Sequence, residues 1–391
     1  MHSTSVYRSL FVAVALVAFP HQLFAQNAKP LIETAAPYAI LVDAGTGTVL
    51  MEKSADTPMA PASMAKLATQ EYVFNEIAAG RISLDQEFQV SENAWRNGGA
   101  GSGGSTMFAE LNSKISVRNL LRGAMIISAN DACIVLAENL AGSESLYAEA
   151  LTERAKKLGM TNSTFANSTG LPDPKERTTA RDLAKLAIHI INTYPDFYKW
   201  YSEREFSWTI KAAQHNRNPL LDEFEGADGV KTGYTSESGY GVVGSAVQDG
   251  RRLVLVVNGL KTPKDRAIEA KKLLTFGFRA FEARKLFAAN SSVGDASVFG
   301  GTIGGVPLVV KSDVSILVQR TAQARDIKAK VVYKGPVIAP VEDGKELARL
   351  QLYYNDVMVQ EQPLYAGQAV EEGTMTQRAV DAAKELVRSL F

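Results

Sequence analysis

The sequence predicts two folded domains: an α/β or α+β domain built round one sheet, then a smaller all-β domain of the sandwich type. Three observations lead there. Strand-type runs stand at both ends of the stretch from Tyr38 to Arg284, with helix-type runs between them. After Arg284 the composition turns to short alternating runs separated by Gly, Asp and Pro. The closing segment, "MTQRAVDAAKELVRSLF", returns to the helical period. A chain of 391 residues is long enough to bury two cores of ordinary size.

The elements follow in chain order. Residues 1–25 hold one arginine, Arg8, then an apolar run from Leu10 to Phe19 that stops at Pro20. The run is short for a bilayer span, so it reads as a secretory signal peptide cleaved after Ala25, with a retained anchor as the alternative. That implies a periplasmic or other extracytoplasmic location. "YAILVDAGTGTVLME" gives two short strands joined by the Gly45 and Gly47 turn. From Ser63 the pattern is helical, with Met64, Leu67, Ala68 and Val73 sharing much of one face. "NGGAGSGGSTMF" (Asn97 to Phe108) is glycine-rich and is expected to be a mobile surface loop. A helix starts at Ser116, and a second is expected to be capped by Asn130 and stopped by Gly142. "TARDLAKLAIHIINTYP" is a helix ended by Pro195, and His189 within it reads as a packed or satisfied residue. "GVKTGYT" and "GYGVVGSAVQDGRRLVLVVNG" are strands, the latter broken by an Asp249-Gly250 hairpin turn. "RAIEAKKLLTFGFRAFEA" closes the region as a helix. In the last helix Met375, Ala379, Val380, Ala383, Leu386, Val387 and Leu390 form one apolar stripe.

Composition excludes several classes of function. Lysine plus arginine number 42 and aspartate plus glutamate 42, without a basic cluster, which argues against nucleic acid as a partner. The single cysteine, Cys133, cannot close an internal disulfide, and its apolar setting "ACIVLAENLAG" marks a small buried hydrophobe. Once the leader is removed only His189 and His215 remain, at no metal-binding spacing, so neither a metal nor a cofactor is expected.

Three short motifs carry chemistry. In "PMAPASMAKLATQ", Ser63 and Lys66 lie three apart, on one face at a helix start. A serine there has backbone N–H groups and a positive dipole end about it, both suited to a developing oxyanion. It needs a base, and a lysine serves only when burial or a nearby cation favours its neutral form. The plainer alternative is a capping serine followed by a solvated lysine. "SAN", Ser128 to Asn130, falls at the turn between two helices. Its hydroxyl could relay a proton and its amide orient a peptide group, while helix capping is the plainer role. "KTG", Lys231 to Gly233, ends a strand. There a cation, a hydroxyl and a residue without a side chain suit an edge that pairs with an extended peptide and holds its terminal carboxylate; the plainer alternative is a strand running into a turn.

The order SxxK, SxN, KTG is that of class A β-lactamases and penicillin-binding proteins. The chain resembles the low-molecular-mass penicillin-binding proteins that act as serine-type D-alanyl-D-alanine carboxypeptidases. The resemblance runs from about Tyr38 to the C-terminus, through "PASMAKLAT", "AWRNGG", "LLRGAMIISANDACIVLAENLAGS", "MTNSTFANSTGLPDP", "NRNPLL", "DGVKTGYTSESGYGVVGSA" and "KLLTFGFRAFE". It implies a transpeptidase-like α/β catalytic domain over residues 33–284, a β-sandwich over 285–372 and an amphipathic helix over 375–391. It further implies that Ser63 attacks the carbonyl between the two terminal D-alanines of a peptidoglycan stem peptide, with Lys66 taking its proton. Ser128 would pass a proton to the leaving D-alanine, and Asn130 would orient the substrate. Lys231, Thr232 and Gly233 would receive the terminal carboxylate end, supported by Arg266, and the N–H groups of Ser63 and Tyr234 would form the oxyanion hole. β-Lactams would be covalent inhibitors.

The chain also departs from its relatives. The middle motif is SAN where many have SGN, and the Gly/Ser loop is richer in those residues. The terminal helix, which in relatives binds the membrane surface, lacks tryptophan here, so packing on the protein or on a second copy stands beside membrane contact. A β-lactamase would add an activating glutamate in a Glu-x-x-Leu-Asn stretch between Asn130 and Lys231, and none is there. An endopeptidase cutting cross-links would use the same site with a longer leaving group. A non-catalytic wall-binding protein is disfavoured by the intact motifs.

Overall fold

The computed structural model describes residues 32–209 and 212–388. The expected signal peptide lies outside the described residues. The first domain is built on a sheet of five antiparallel strands. Its members are β1 (Tyr38–Asp43), β2 (Val49–Lys53), β3 (Ala227–Thr235), β4 (Gly239–Gln248) and β5 (Arg251–Leu260), in the spatial order β2-β1-β5-β4-β3. Asp249 and Gly250 both take positive φ, 51° and 74°, which gives the two-residue turn between β4 and β5 the twist that neighbouring strands need. From Leu253 to Val257, β5 is wholly buried, because both faces of the sheet are covered. This is why "RRLVLVVNG" reads as a continuous apolar run and not as an alternation. Val254 and Val256 join Ile40 and Val42 in the main helical core.

Between β2 and β3, the two edge strands, the chain forms the helical part. It comprises α1 (Lys66–Ala78), α2 (Val117–Ile126), α3 (Asn130–Ala141), α4 (Glu144–Lys157) and α5 (Ala180–Thr193). Ser116, Ser143 and Thr179 cap α2, α4 and α5 by accepting a backbone N–H, and Gly142 ends α3 in the left-handed region. α6 (Pro263–Ala280), capped by Thr262, packs on β5 from the sheet's other side.

Two expectations are corrected. Asn130 does not cap α3. It is the first helical residue, Ala129 occupies the cap position, and no side chain closes that end. Nor is Asn97–Phe108 a free loop. A helical turn over Ala94–Gly98 and another over Ala100–Ser102 begin it, and Thr106 and Met107 are buried at its end. Gly98 lies so close to α3 that a Cβ would fall 2.4 Å from the Asp131 nitrogen. Close approach, not freedom of motion, explains this glycine. The fully buried Asp131 fastens the far end by accepting from Thr106 Oγ1 (2.6 Å), Met107 N (3.1 Å), Ala109 N (3.0 Å) and Ala132 N (3.0 Å). Replacing Asp131 by Ala strands these donors in the interior. We expect a loss of about 3–4 kcal/mol, read as a lowered midpoint in denaturant at unchanged slope.

The second domain has a six-stranded sheet. Its strands β7 (Ser292–Phe299), β8 (Gly305–Val309), β10 (Ile327–Tyr333), β11 (Val337–Ile338), β12 (Glu346–Tyr354) and β13 (Val357–Ala366) lie in the order β10-β12-β13-β8-β7-β11. β6 (Phe281–Phe287) and β9 (Val314–Gln319) form a separate ribbon, and Val314, Ile316 and Val318 share one core with Leu308, Leu350 and Leu364. The limit expected at 284 runs through β6, which pairs with β9. α7 (Met375–Arg388) ends the described chain. Its polar side faces the domain, with Gly300 N donating to Asp381 and Gln377 Nε2 to Thr302 O, while Met375, Ala379, Val380 and Ala383 are exposed.

Candidate active site

Ser63 sits in a 3-10 turn, Ala62–Ala65, that runs directly into α1. Lys66, the first residue of α1, is wholly buried, and its Nζ donates to Ser63 Oγ at 2.8 Å and to the Thr169 carbonyl at 2.7 Å. Burial lowers its pKa to about 8, and the positive charge of Arg217 acts in the same direction. The Thr169–Leu171 turn reaches Lys66 because Gly170 permits it. Its φ is +74°, and a Cβ there would lie 2.0 Å from the Ala62 carbonyl oxygen.

Ser128 occupies the α2–α3 turn with φ +63°, a conformation that costs a non-glycine residue energy and aims its side chain out of the helix path. The turn is braced by Ala129 N donating to Gly123 O (3.0 Å) and Asn130 N to Ser105 O (2.7 Å). From the neighbouring β3, Lys231 Nζ donates to Ser128 Oγ at 2.9 Å. Lys231 is buried, and burial together with the charge of Lys66 holds its pKa well below the ordinary lysine value. Three distant parts of the chain thus supply two hydroxyls and the buried amine bonded to each.

Ser63, Ser128, Asn130, Thr232, Gly233, Tyr234 and Arg266 line one cavity of about 600 Å³, with Lys66 and Lys231 behind its hydroxyls. All nine residues singled out in the sequence therefore meet in one place. Asn130 Oδ1 and Arg266 Nε are buried without a hydrogen-bond partner, polar groups in reserve at the wall of an open site. Gly233 lets β3 approach the serine turn, since a Cβ there would meet Pro61 O at 3.0 Å. The lining holds two arginines and no carboxylate, so the site attracts anions.

Sequence reasoning missed several lining residues. Arg217, which donates to Ser105 Oγ at 2.7 Å, lies in "NRNPLL", a stretch noted for its resemblance but given no role. Tyr240 stacks on Tyr234 with ring centroids 4.0 Å apart, and the Arg266 guanidinium lies 5.8 Å from the Tyr240 ring. Leu171 and Gly170 carry no local signal. The residues expected to be structural fit that reading. Cys133 is buried, and burial pushes its thiol up to about 12. His189 Nε2 lies 3.1 Å from Glu71 Oε1, a carboxylate that Arg154 also engages. Among the described residues no cluster of His, Cys, Asp and Glu could hold a metal ion.

Comparison with known proteins agrees along the chain. A family model described as D-alanyl-D-alanine carboxypeptidase matches residues 24–262, and one described as penicillin-binding protein 5, C-terminal domain, matches residues 281–372. The D-alanyl-D-alanine carboxypeptidase DacF of Bacillus subtilis is 32% identical over 370 residues, 92% of each chain. DacC of Escherichia coli, of the same description, is 36% identical over 345 residues, 88% of this chain and 86% of the relative. Among solved structures, penicillin-binding protein 5 from Haemophilus influenzae superposes with a TM-score of 0.78 at 32% identity, covering 88% of this chain and all of that one.

Proposed function

The chain belongs to the D-alanyl-D-alanine carboxypeptidase family, and from that premise we infer a residue-level mechanism for a serine carboxypeptidase of the penicillin-binding type. The substrate is a peptidoglycan peptide ending in D-alanyl-D-alanine, and penicillins are substrate mimics. One observation carries the assignment of roles: a buried amine, titrating near pH 8, bonded at 2.8 Å to a serine hydroxyl on the wall of an anion-attracting cavity. At pH 7 about one tenth of such an amine is free base, against fewer than about one in a thousand for an ordinary lysine.

In this mechanism the terminal carboxylate enters towards Arg266, Lys231 and Thr232, and the extended peptide lies along β3, where Gly233 allows close approach. Asn130, in the cavity wall, orients the penultimate peptide group through its side-chain amide. Ser63 Oγ attacks the carbonyl carbon of the penultimate residue while the free amine of Lys66 takes the hydroxyl proton. The negative charge on the carbonyl oxygen is met by the N–H groups of Ser63 and Tyr234. The C–N bond then breaks, and the departing D-alanine nitrogen receives a proton through Ser128, backed by Lys231. Water attacks the remaining ester, the Ser63 oxygen recovers its proton, and the shortened peptide leaves. A β-lactam follows the first half of this path, but its leaving nitrogen stays tethered.

Incubation with a pentapeptide stem tests the reading. Free D-alanine and a tetrapeptide are expected, and release of a larger fragment from cross-linked dimers alone would favour an endopeptidase.

The family acts on peptidoglycan, outside the cytoplasm. Among the described residues no helix is long and apolar enough to cross a membrane. We further propose export by the leader at residues 1–25, for which the mature protein would begin at Gln26 by N-terminal sequencing. We propose too that α7 lies on a membrane surface. It meets the β domain through Gln377, Arg378 and Asp381 and leaves Met375, Ala379, Val380 and Ala383 outward, the arrangement of an interfacial helix. Deleting residues 375–391 should release the protein from sedimenting anionic vesicles. Unchanged sedimentation would refute the contact.

A further inference from the structure

The loop from Ser163 to Thr178 supplies the carbonyl to which Lys66 donates. Asn167 holds its centre. The Asn167 Oδ1 accepts the N–H groups of Thr169, Gly170 and Leu171 at 3.0, 2.8 and 3.2 Å, and the Thr169 hydroxyl at 2.7 Å. Glu176 holds its start, with Oε2 accepting from Ala166 N at 2.7 Å and Asn167 N at 3.3 Å. Glu176 is buried, and its other oxygen, Oε1, has no hydrogen-bond partner. Burying a carboxylate with half its accepting capacity unused is unfavourable, and a glutamine could accept the same two N–H groups without a charge. Packing alone does not account for an acid here.

We propose that Glu176 is a positioning residue for the base: through Ala166, Asn167 and Thr169 it fixes the carbonyl that holds Lys66 Nζ against Ser63 Oγ, and its charge favours the ammonium form of that amine. The proposal rests on the roles given above to Ser63 and Lys66. Burial pushes the Glu176 carboxyl up to about 7, just below the value of about 8 for Lys66, so the acid is ionised where the amine titrates. The other charged and titratable groups facing Lys66 are Cys133 of α3, Glu144 of α4, Arg217 and Lys231 of β3. Glu144 accepts from Ser168 Oγ at 2.7 Å and is itself pushed upward by burial. Glu176 also faces Asp173, while the adjacent Arg177 is paired outward with Glu237 at 3.3 Å. Replacing only the Glu176 charge changes one member of this set.

The sign follows from the charges. An ionised Glu176 stabilises the Lys66 ammonium, so Glu176→Gln should lower the Lys66 pKa. Relative to each protein's own plateau, penicillin acylation by the variant should then exceed that of the wild type by up to about twofold near pH 7.5, and the difference should close towards pH 6, where the wild-type Glu176 is itself protonated. Glu176→Asp, which keeps the charge, should retain the wild-type limb. A second readout needs no catalysis. A carboxyl whose folded pKa is raised contributes stability below its unfolded value that is lost as pH rises through about 7. The melting temperature of Glu176→Gln should therefore gain on that of the wild type between pH 5 and pH 8, by a few degrees.

Acylation rates and melting curves of the three proteins over pH 5–9 test this. A Glu176→Gln limb superimposed on that of the wild type, where the wild type is labelled on Ser63, would overturn the inference alone. A wild type that takes no label on Ser63 would overturn the assignment beneath it. A melting difference that does not change with pH, together with an unmoved Glu176→Gln limb, would show that Glu176 places no charge on Lys66, which also overturns the inference.

Discussion

Ser63→Ala should abolish both D-alanine release and covalent labelling by penicillin, with a loss of about 10⁴-fold or more in turnover, while leaving the fold intact. Acyl transfer through an enzyme ester needs an oxygen to form the ester, and the substitution removes the one bonded to Lys66. Cys133 cannot stand in, since it is buried and its thiol is pushed up to about 12. Ser128 also lines the cavity, but its hydroxyl is bonded to Lys231, which the mechanism places at the substrate's terminal carboxylate and leaving group. Stability should change little. Lys66 loses one hydrogen bond and keeps its bond to the Thr169 carbonyl, so a change within about 1 kcal/mol is expected. Stopped-flow labelling and a melting curve on the same sample would separate the two effects. Labelling near the wild-type rate would identify another nucleophile.

Lys66→Ala and Lys66→Arg should both reduce acylation by about 10²–10⁴-fold, for different reasons. Alanine removes the proton acceptor and leaves the Thr169 carbonyl without its buried donor, so a loss of stability accompanies the loss of rate. Arginine keeps a cation, but its guanidinium does not shed a proton in the working range and cannot accept one from Ser63. In the wild type the rate should fall tenfold for each pH unit below about 8, where the amine becomes ammonium, and level off above it. Both variants should lose this limb. An arginine variant that acylates at close to the wild-type rate would show that the cation, not the free base, is what matters.

Local pattern was legible wherever physics acts over a few residues. The Asp249-Gly250 turn, the Gly142 stop and the helical run after Ser63 follow from backbone preference and periodicity, and each stands where expected. The closeness of Ser63, Ser128 and Lys231 did not follow from such rules. It depends on how β3 meets the helical part, so only the resemblance to a family anticipated it. The errors share one cause. Glycines between Asn97 and Phe108 imply mobility when read locally, yet Gly98 is there because α3 lies against it. Asn130 has the chemistry of a cap, but its side chain lies in the cavity wall. Glu176 had no signal at all, because an acid in a loop that carries Pro172, Asp173, Pro174 and Lys175 is ordinarily solvated. Its burial follows from the loop folding back under α1.

The central claim is that a hydroxyl at the start of α1, deprotonated by its buried lysine neighbour, forms the covalent bond. Intact-protein mass spectrometry after brief exposure to penicillin at pH 8.5, followed by peptide mapping, reads this directly. The account predicts one adduct per chain, carried by the peptide containing Pro58 to Gln70 and located on Ser63. An unmodified protein, or an adduct on any other residue, would contradict it.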